Sequence, residues 1–374
     1  MGGHLTPALA LLQKAKESSD KVLFVGRKFT SRKYKIPSRE KSEVEKVGAS
    51  FVTFDAPKLE RHSLLVSMIR MPQMITAVIR AKLIVRGFKP DVVVAFGGYL
   101  SVPMAVAAKL SGVPVVIHEQ TRTAGLANQL VAKLAKKVAI SWPESEKYFP
   151  RHKLIVTGNL IRKGLVGNKP AKPDWVSHFD NKPILYVTGG NQGSMTLNRT
   201  IGQILYKLTK QFNVIHQCGS YGGDREFTIY SRLRSNLKEI ERESYVVRSW
   251  LTTEEVSWVL RQAEMIVSRS GANTVSEIIA SRVPAIFVPL PIAYKNEQML
   301  NARALEKRGT AEIIEQKNLT ADALWKLVVK MTRSRSKYVN SFDSLTDNSG
   351  EAVVKLYKVV KDEAEKKKEI KTKN

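Results

Sequence analysis

His4 follows Gly2 and Gly3 at the head of an apolar stretch with helical period, running from Leu5 to about Glu17. An imidazole titrates near neutral pH, so a histidine on a helix's opening turn can serve as a general base. Beside two glycines it can also be a cap or a solvent-facing side chain. Val94-Ala-Phe-Gly-Gly-Tyr-Leu-Ser-Val-Pro103 turns from an apolar strand through Gly97 and Gly98, next to Tyr99, into an alanine-rich helix. Glycines there either let backbone amides approach a phosphate or let strand and helix pack closely.

Val187-Thr-Gly-Gly-Asn-Gln-Gly-Ser194 is a third junction of this kind, with Asn191, Gln192 and Ser194 as neutral donors among Gly189, Gly190 and Gly193. After a clean strand, such a turn suits a pyrophosphate. Ser268-Arg-Ser-Gly-Ala-Asn-Thr-Val-Ser-Glu277 puts Gly271 at a helix start and Glu277 nearly two turns on, where a carboxylate can accept both hydroxyls of a ribose. Pro289-Leu-Pro-Ile-Ala-Tyr-Lys-Asn-Glu-Gln-Met-Leu-Asn301 adds Glu297, Gln298 and Asn301, groups suited to sugar hydroxyls. Taken singly, Glu277 and Gln298 also fit a salt bridge or a helix surface.

These turns need a scaffold. Short β-branched runs at Lys21–Val25, Ser50–Phe54, Asp91–Phe96, Val113–His118 and Lys137–Ile140 alternate with amphipathic stretches, the rhythm of βαβ units around a parallel sheet. It restarts at Pro183–Thr188 and continues through Asn213–His216, Tyr245–Arg248, Met265–Ser268, Pro284–Val288 and Ala311–Ile314. The fold class is therefore α/β, with two Rossmann-like, doubly wound parallel-sheet domains. The predicted organisation is an N-terminal domain over 1–162, a Gly-, Pro- and Lys-rich linker over 163–178, a C-terminal domain over 179–345, and a helix with a basic tail over 346–374. From Lys361 on, the mixed charge predicts a fraying helix end with little to bury.

The 374 residues carry 61 Lys and Arg against 34 Asp and Glu, a formal charge of +27. Such an excess calls for nucleic acid, a phosphorylated substrate or anionic lipid, unless it reflects a uniformly basic proteome. No nucleic-acid module or aromatic platform is evident, so no specific nucleic acid is expected as a partner. A lone cysteine, Cys218, excludes an intrachain disulfide and a Cys-rich metal site, and a reducing cytoplasm is the natural setting. The sequence has no apolar run long enough to span a membrane. Arg61 to Arg86 mixes large apolar residues with Arg61, Arg70, Arg80, Lys82 and Arg86, and Pro72 is expected to break or kink it. It can lie on an anionic membrane surface or simply cover the sheet.

In this order, GGHLTPALAL, FGGYLSVP with IHEQ behind it, TGNLIR, GGNQGSMTLN, SRSGANTVSEI and the PLP to NEQMLNA segment resemble the MurG family of peptidoglycan glycosyltransferases, from Gly2 to about Gln316. The resemblance implies a GT-B fold and inverting transfer of N-acetylglucosamine from UDP-GlcNAc to the MurNAc 4-hydroxyl of lipid I, forming lipid II. The enzyme would be peripheral, on the cytoplasmic face of the plasma membrane, against anionic inner-leaflet lipids. It implies His4 as the base and Arg162, Asn191, Gln192, Gly193, Leu251, Thr274, Glu277 and Gln298 as donor contacts. Gly2, Gly3, Gly97, Gly98, Tyr99, His118, Glu119 and Thr121 would hold the acceptor. No cofactor and no metal are expected.

The sequence departs from the family at Asn191, where Ser is usual, at Thr121, where Asn is expected, and at Glu297, where His or Gln is usual. The family also has a strand ahead of the first glycine loop, so the first strand of the N-terminal sheet is expected to be missing. The alternatives are a related GT-B transferase with another nucleotide sugar or lipid acceptor, or a truncated, inactive nucleotide-sugar-binding protein.

Overall fold

A computed structural model describes residues 3–31, 36–38, 40–57, 71–167, 169–220, 223–345 and 349–373. The chain divides into two compact units: His4–Leu160 with Asn348–Asn374, and Ile161–Asp347 with Met1–Gly3.

The first unit opens with helix α1 (Leu5–Glu17), strand β1 (Leu23–Gly26) and strand β2 (Ser50–Thr53), which pairs with β1 in parallel. Helix α2 (Met71–Phe88), β3 (Val93–Ala95), α3 (Ser101–Leu110), β4 (Val115–Glu119), α4 (Leu126–Leu134), β5 (Lys137–Ile140) and β6 (Leu154–Val156) follow. The last four strands form a separate parallel sheet in the order β3-β4-β5-β6. Its central strand β4 is buried along its whole length, as its unbroken apolar start Val115-Val-Ile117 requires. Ala77, Ala81 and Val85 of α2 and the alanines of α3 close one face of the core. On α1, Leu9 and Leu12 pack with Phe24 and Phe51 of the β1-β2 pair. Ala10 and Leu11 pack beside Val94 and Val116, so one helix spans both sheets.

The second unit holds β7 (Ile184–Thr188), α5 (Met195–Gln211), β8 (Asn213–Gln217), β9 (Tyr245–Arg248), α6 (Thr253–Gln262), β10 (Ala263–Ser268), α7 (Ala272–Ser281), β11 (Ala285–Phe287), α8 (Glu297–Glu306), β12 (Ala311–Ile313) and α9 (Ala321–Arg333). Its six strands are parallel in the order β9-β8-β7-β10-β11-β12. The order reverses between β7 and β10, the place where open α/β sheets bind ligands at strand carboxyl ends. Local signals set the helix starts. Ser194 accepts the Leu197 amide at the head of α5, and Thr252 with Glu255 forms a capping box on α6.

The compact units divide at Leu160/Ile161, two residues before the predicted end of the N-terminal domain, and the Gly-, Pro- and Lys-rich stretch groups with the second unit. There Arg261 donates to the carbonyls of Gly164, Leu165 and Gly167, and Trp175 Nε1 donates to Glu255 Oε1 at 2.7 Å. The C-terminal helix, α10 (Ser349–Lys373), groups with the first unit and continues through the stretch from Lys361 on, where the mixed charge predicts fraying. Ala352, Leu356 and Val360 bury against Ala10 and Leu11. Asp20 accepts from Tyr357 Oη at 2.8 Å and Lys361 Nζ at 3.0 Å, and Lys367 Nζ donates to Pro90 O at 2.6 Å. The charged tail is therefore held by specific partners, a pairing that composition alone does not reveal.

Candidate functional site

In the first unit, β3 ends at the Gly97-Gly98 turn, where φ is +98° and +80°. A Cβ on Gly97 would lie 3.1 Å from His4 Cε1 and 3.2 Å from Asn128 Nδ2, so the missing side chain is what admits the imidazole. His4 Nδ1 is 3.3 Å from the Gln120 side-chain amide, which holds the ring in place. Burial lowers the pKa of His4, with the Glu119 carboxylate opposing. The ring is thus unprotonated at neutral pH, the state that a base requires.

Behind it, Glu119 is buried and saturated. Its Oε1 accepts from the Thr121 amide at 2.9 Å and from Thr121 Oγ1 at 2.7 Å, and its Oε2 accepts from the Gly125 amide at 2.9 Å and Asn128 Nδ2 at 3.0 Å. This carboxylate ties down the loop leading to α4. His118 is fully buried, and its Nε2 donates to Gly158 O at 3.3 Å. Burial pushes its pKa down to about 4. Its ring and the Glu119 carboxylate therefore position the loop from within, whereas the resemblance makes both residues acceptor contacts. Thr121, also given as an acceptor contact, spends its hydroxyl on this same network. Tyr99 is half-buried against the core cluster. Gly2 lies outside the described residues, and Gly3 groups with the second unit. Asn128 and Gln120, which orient Glu119 and His4, were not singled out from the sequence. Asn128 lies within a turn of Gly125 on a helix that the glycine pattern alone did not mark.

In the second unit, β7 ends at Thr188 and the chain turns through Gly189–Gly193. A Cβ on Gly189 would sit 2.3 Å from Ser194 N, and one on Gly193, at φ +83°, only 2.0 Å from Cys218 O. The turn is folded against the backbone after β8, leaving no room for a side chain at either place. A cavity of about 40 Å³ lies at the β7/β10 switch point, lined by Arg162, Tyr186, Thr188, Gly190, Asn191, Gln217, Val256, Leu260, Ile266, Thr274 and Glu277. Arg162, Asn191, Thr274 and Glu277, distant in sequence, thus converge on one space. Within it Arg162 Nε donates to Glu277 Oε1 at 2.7 Å, both side chains nearly buried. Glu277 Oε2 takes no hydrogen bond among the described residues, so half of the carboxylate remains open to a ligand.

Gln192 and Gly193 belong to the turn itself. Leu251 is fully buried, so only its backbone can face a ligand. Gln298 uses Oε1 to accept the Leu290 amide at 3.0 Å, which leaves its amide nitrogen to donate. Arg269, which sequence reasoning passed over, is buried and bonds only neutral acceptors: Val288 O, Pro289 O, Ser194 Oγ and Gln316 Oε1 at 2.6–3.1 Å. It ties the glycine turn to the loops after β11 and β12. A larger open cavity of about 540 Å³ between α8, β12 and α9 contains none of the turn residues. No cluster of His, Cys, Asp or Glu among the described residues is placed to hold a metal ion.

On α2, Met71, Ile75, Ile79 and Leu83 are 56–64% exposed and recur every four residues, opposite buried Ala77, Ala81 and Val85. Arg80 and Arg86 flank them at the surface. Pro72 is the second residue of this helix, and the stretch before Met71, across which Pro72 is expected to break or kink the segment, lies outside the described residues. Arg61 and Arg70 lie outside the described residues. No described helix is long and apolar enough to cross a membrane.

Two parallel-sheet units with glycine turns at the carboxyl ends of their strands define the GT-B fold class. The glycosyltransferase family 28 N-terminal and C-terminal domain models match residues 1–140 and 184–362. A Clostridium botulinum (strain Langeland) protein named UDP-N-acetylglucosamine--N-acetylmuramyl-(pentapeptide) pyrophosphoryl-undecaprenol N-acetylglucosamine transferase is 31% identical over 359 residues, 95% of this chain and 96% of its own. The crystal structure of Acinetobacter baumannii MurG superposes with a TM-score of 0.65 at 26% identity, covering 97% of each chain. The glycosyltransferase of kitacinnamycin, at 15% identity, TM-score 0.67 and coverage of 96% and 95%, shares the fold. This chain belongs to the MurG family of glycosyltransferases.

Proposed function

We propose that this protein transfers N-acetylglucosamine from UDP-GlcNAc to the 4-hydroxyl of MurNAc in undecaprenyl-pyrophosphoryl lipid I, producing lipid II and UDP. The observation that carries the reading is the convergence of Arg162, Asn191, Thr274 and Glu277 on one cavity beside the glycine turn, in a chain 31% identical to a transferase of that name. The acceptor hydroxyl attacks the anomeric carbon as the bond to the diphosphate breaks on the opposite face. The hydroxyl proton passes to the unprotonated His4 ring. Negative charge on departing UDP meets the amides of the Gly189–Gly193 turn and the positive end of α5. Glu277 accepts the ribose hydroxyls, with Arg162 holding one of its oxygens.

The exposed apolar stripe of α2, flanked by Arg80 and Arg86, supports binding to anionic lipid on the cytoplasmic face, where the lipid acceptor would be met. The test is transfer of label from UDP-GlcNAc to a lipid I analogue. Labelled lipid that vanishes with Glu277→Ala is expected; donor binding without any labelled lipid would reject the acceptor.

A further inference from the structure

Gln217 closes β8, in register with Thr188 on β7, and lines the same cavity as Gly190, Asn191, Arg162 and Glu277. Its side chain is almost wholly buried. The hydrogen bonds around it decide which way the amide points. The Gly190 amide donates to Thr188 Oγ1 at 3.0 Å. Thr188 Oγ1 in turn donates to Gln217 Oε1 at 3.4 Å, and Tyr186 Oη donates to the same oxygen at 2.5 Å. The Tyr186 and Thr188 hydroxyls can donate to one another only one way, so flipping the amide would leave the other hydroxyl hydrogen without an acceptor in a buried place, and the carbonyl faces the hydroxyls. Nε2 then has no hydrogen bond among the described residues and is the group that Gln217 offers to the cavity. Among the described residues this nitrogen is not one of the sealed polar atoms left without a partner, so it reaches the cavity, where water or a ligand can accept from it. The space, about 40 Å³, suits a water or a phosphate oxygen and is too small for a base.

We infer that Gln217 Nε2 donates a hydrogen bond to a phosphate oxygen of the nucleoside diphosphate, making the end of β8 part of the anion cradle built by the Gly189–Gly193 turn. The inference rests on the nucleotide-sugar reading of this cavity. The Thr188 and Tyr186 hydroxyls keep the amide turned, and the Gly190 amide links it to the turn, so the cradle joins two adjacent strand ends. The residue has a role distinct from that of Glu277, since it can only donate where the carboxylate can only accept.

The experiment is calorimetric titration of the full-length protein with uridine, UMP and UDP, for wild type, Gln217→Glu and Gln217→Met. Glutamate keeps an acceptor for Tyr186 and Thr188 but replaces the donor, while methionine removes the donor without adding charge. UDP affinity is expected to fall about 10- to 100-fold in the glutamate variant and about 10-fold in the methionine variant, as for a lost charge-assisted bond. Uridine affinity should stay within about twofold, because the nucleoside lacks the contacted oxygen. Wild-type UDP affinity in Gln217→Met, or an equal loss for uridine, would overturn the inference while leaving the nucleotide reading intact. Failure of the wild type to bind UDP at all would remove both. Should the methionine variant not fold, the uridine-to-UDP ratio in the glutamate variant still decides.

Discussion

The two glycine turns look alike in sequence and are needed for different reasons. At Gly97 an added Cβ would meet side-chain atoms, His4 Cε1 and Asn128, at 3.1–3.3 Å. At Gly193 it would meet the backbone oxygen of Cys218 at 2.0 Å. Side chains can give way by a few tenths of an ångström, but a strand-end carbonyl cannot without unmaking the turn. The glycine pair in the first unit, also left-handed in φ, makes room for a reactive side chain. In the second unit the glycines permit the cradle to exist.

The largest effect should come from Gly193→Ala, which combines the backbone clash with a left-handed φ. Loss of about 3 kcal/mol in urea unfolding and of measurable UDP binding is expected; near-native binding would erase the contrast between the turns. His4→Ala should follow, with turnover down about 100-fold and UDP affinity kept. An equal loss of donor binding would mean that His4 supports structure and not proton transfer.

Acid provides a further comparison, because each unit buries a neutral histidine. Burial pushes His118 down to about 4 and His216 to about 3. Unfolded, both bind a proton below about pH 6.5, so from there downward the unfolded state holds more protons and stability falls. The slope should approach about 1.4 kcal/mol per pH unit for each histidine, levelling off below the folded values. Chemical unfolding at pH 7, 6 and 5 measures it, and a flat profile would place these rings in water.

Gly97→Ala should be milder, lowering turnover about 10-fold through displacement of His4 while UDP binding is unchanged. The smallest effect on chemistry should come from Ile75→Glu with Ile79→Glu on α2. Binding to anionic vesicles should drop several-fold, with transfer to a detergent-dispersed acceptor unaltered; unchanged vesicle binding would return this stripe to the ordinary surface.

Much of the scaffold is legible along the chain because its signals are local. Apolar β-branched runs mark the strands, and the glycines at 97–98 and 189–193 fall at strand ends as expected, since a turn that forbids a Cβ must be written with glycine. The helix starting at Gly271 and carrying Glu277 is likewise encoded by neighbours. Side-chain partnership was not readable in this way. Nothing near Arg162 in sequence announces that its guanidinium meets Glu277 at 2.7 Å, or that the side chains of Leu251 and His118 are buried.

By itself the sequence determined the alternation of strands and helices, the places where backbone must approach backbone, and membership of a transferase family, because each depends on residues adjacent along the chain or on their order. Only the tertiary structure decided which way Gln217 faces, that Arg269 ties three loops together, and that α10 returns to the first unit. Those outcomes depend on hydrogen bonds and contacts between segments that meet only after folding, and their energies have no local signature.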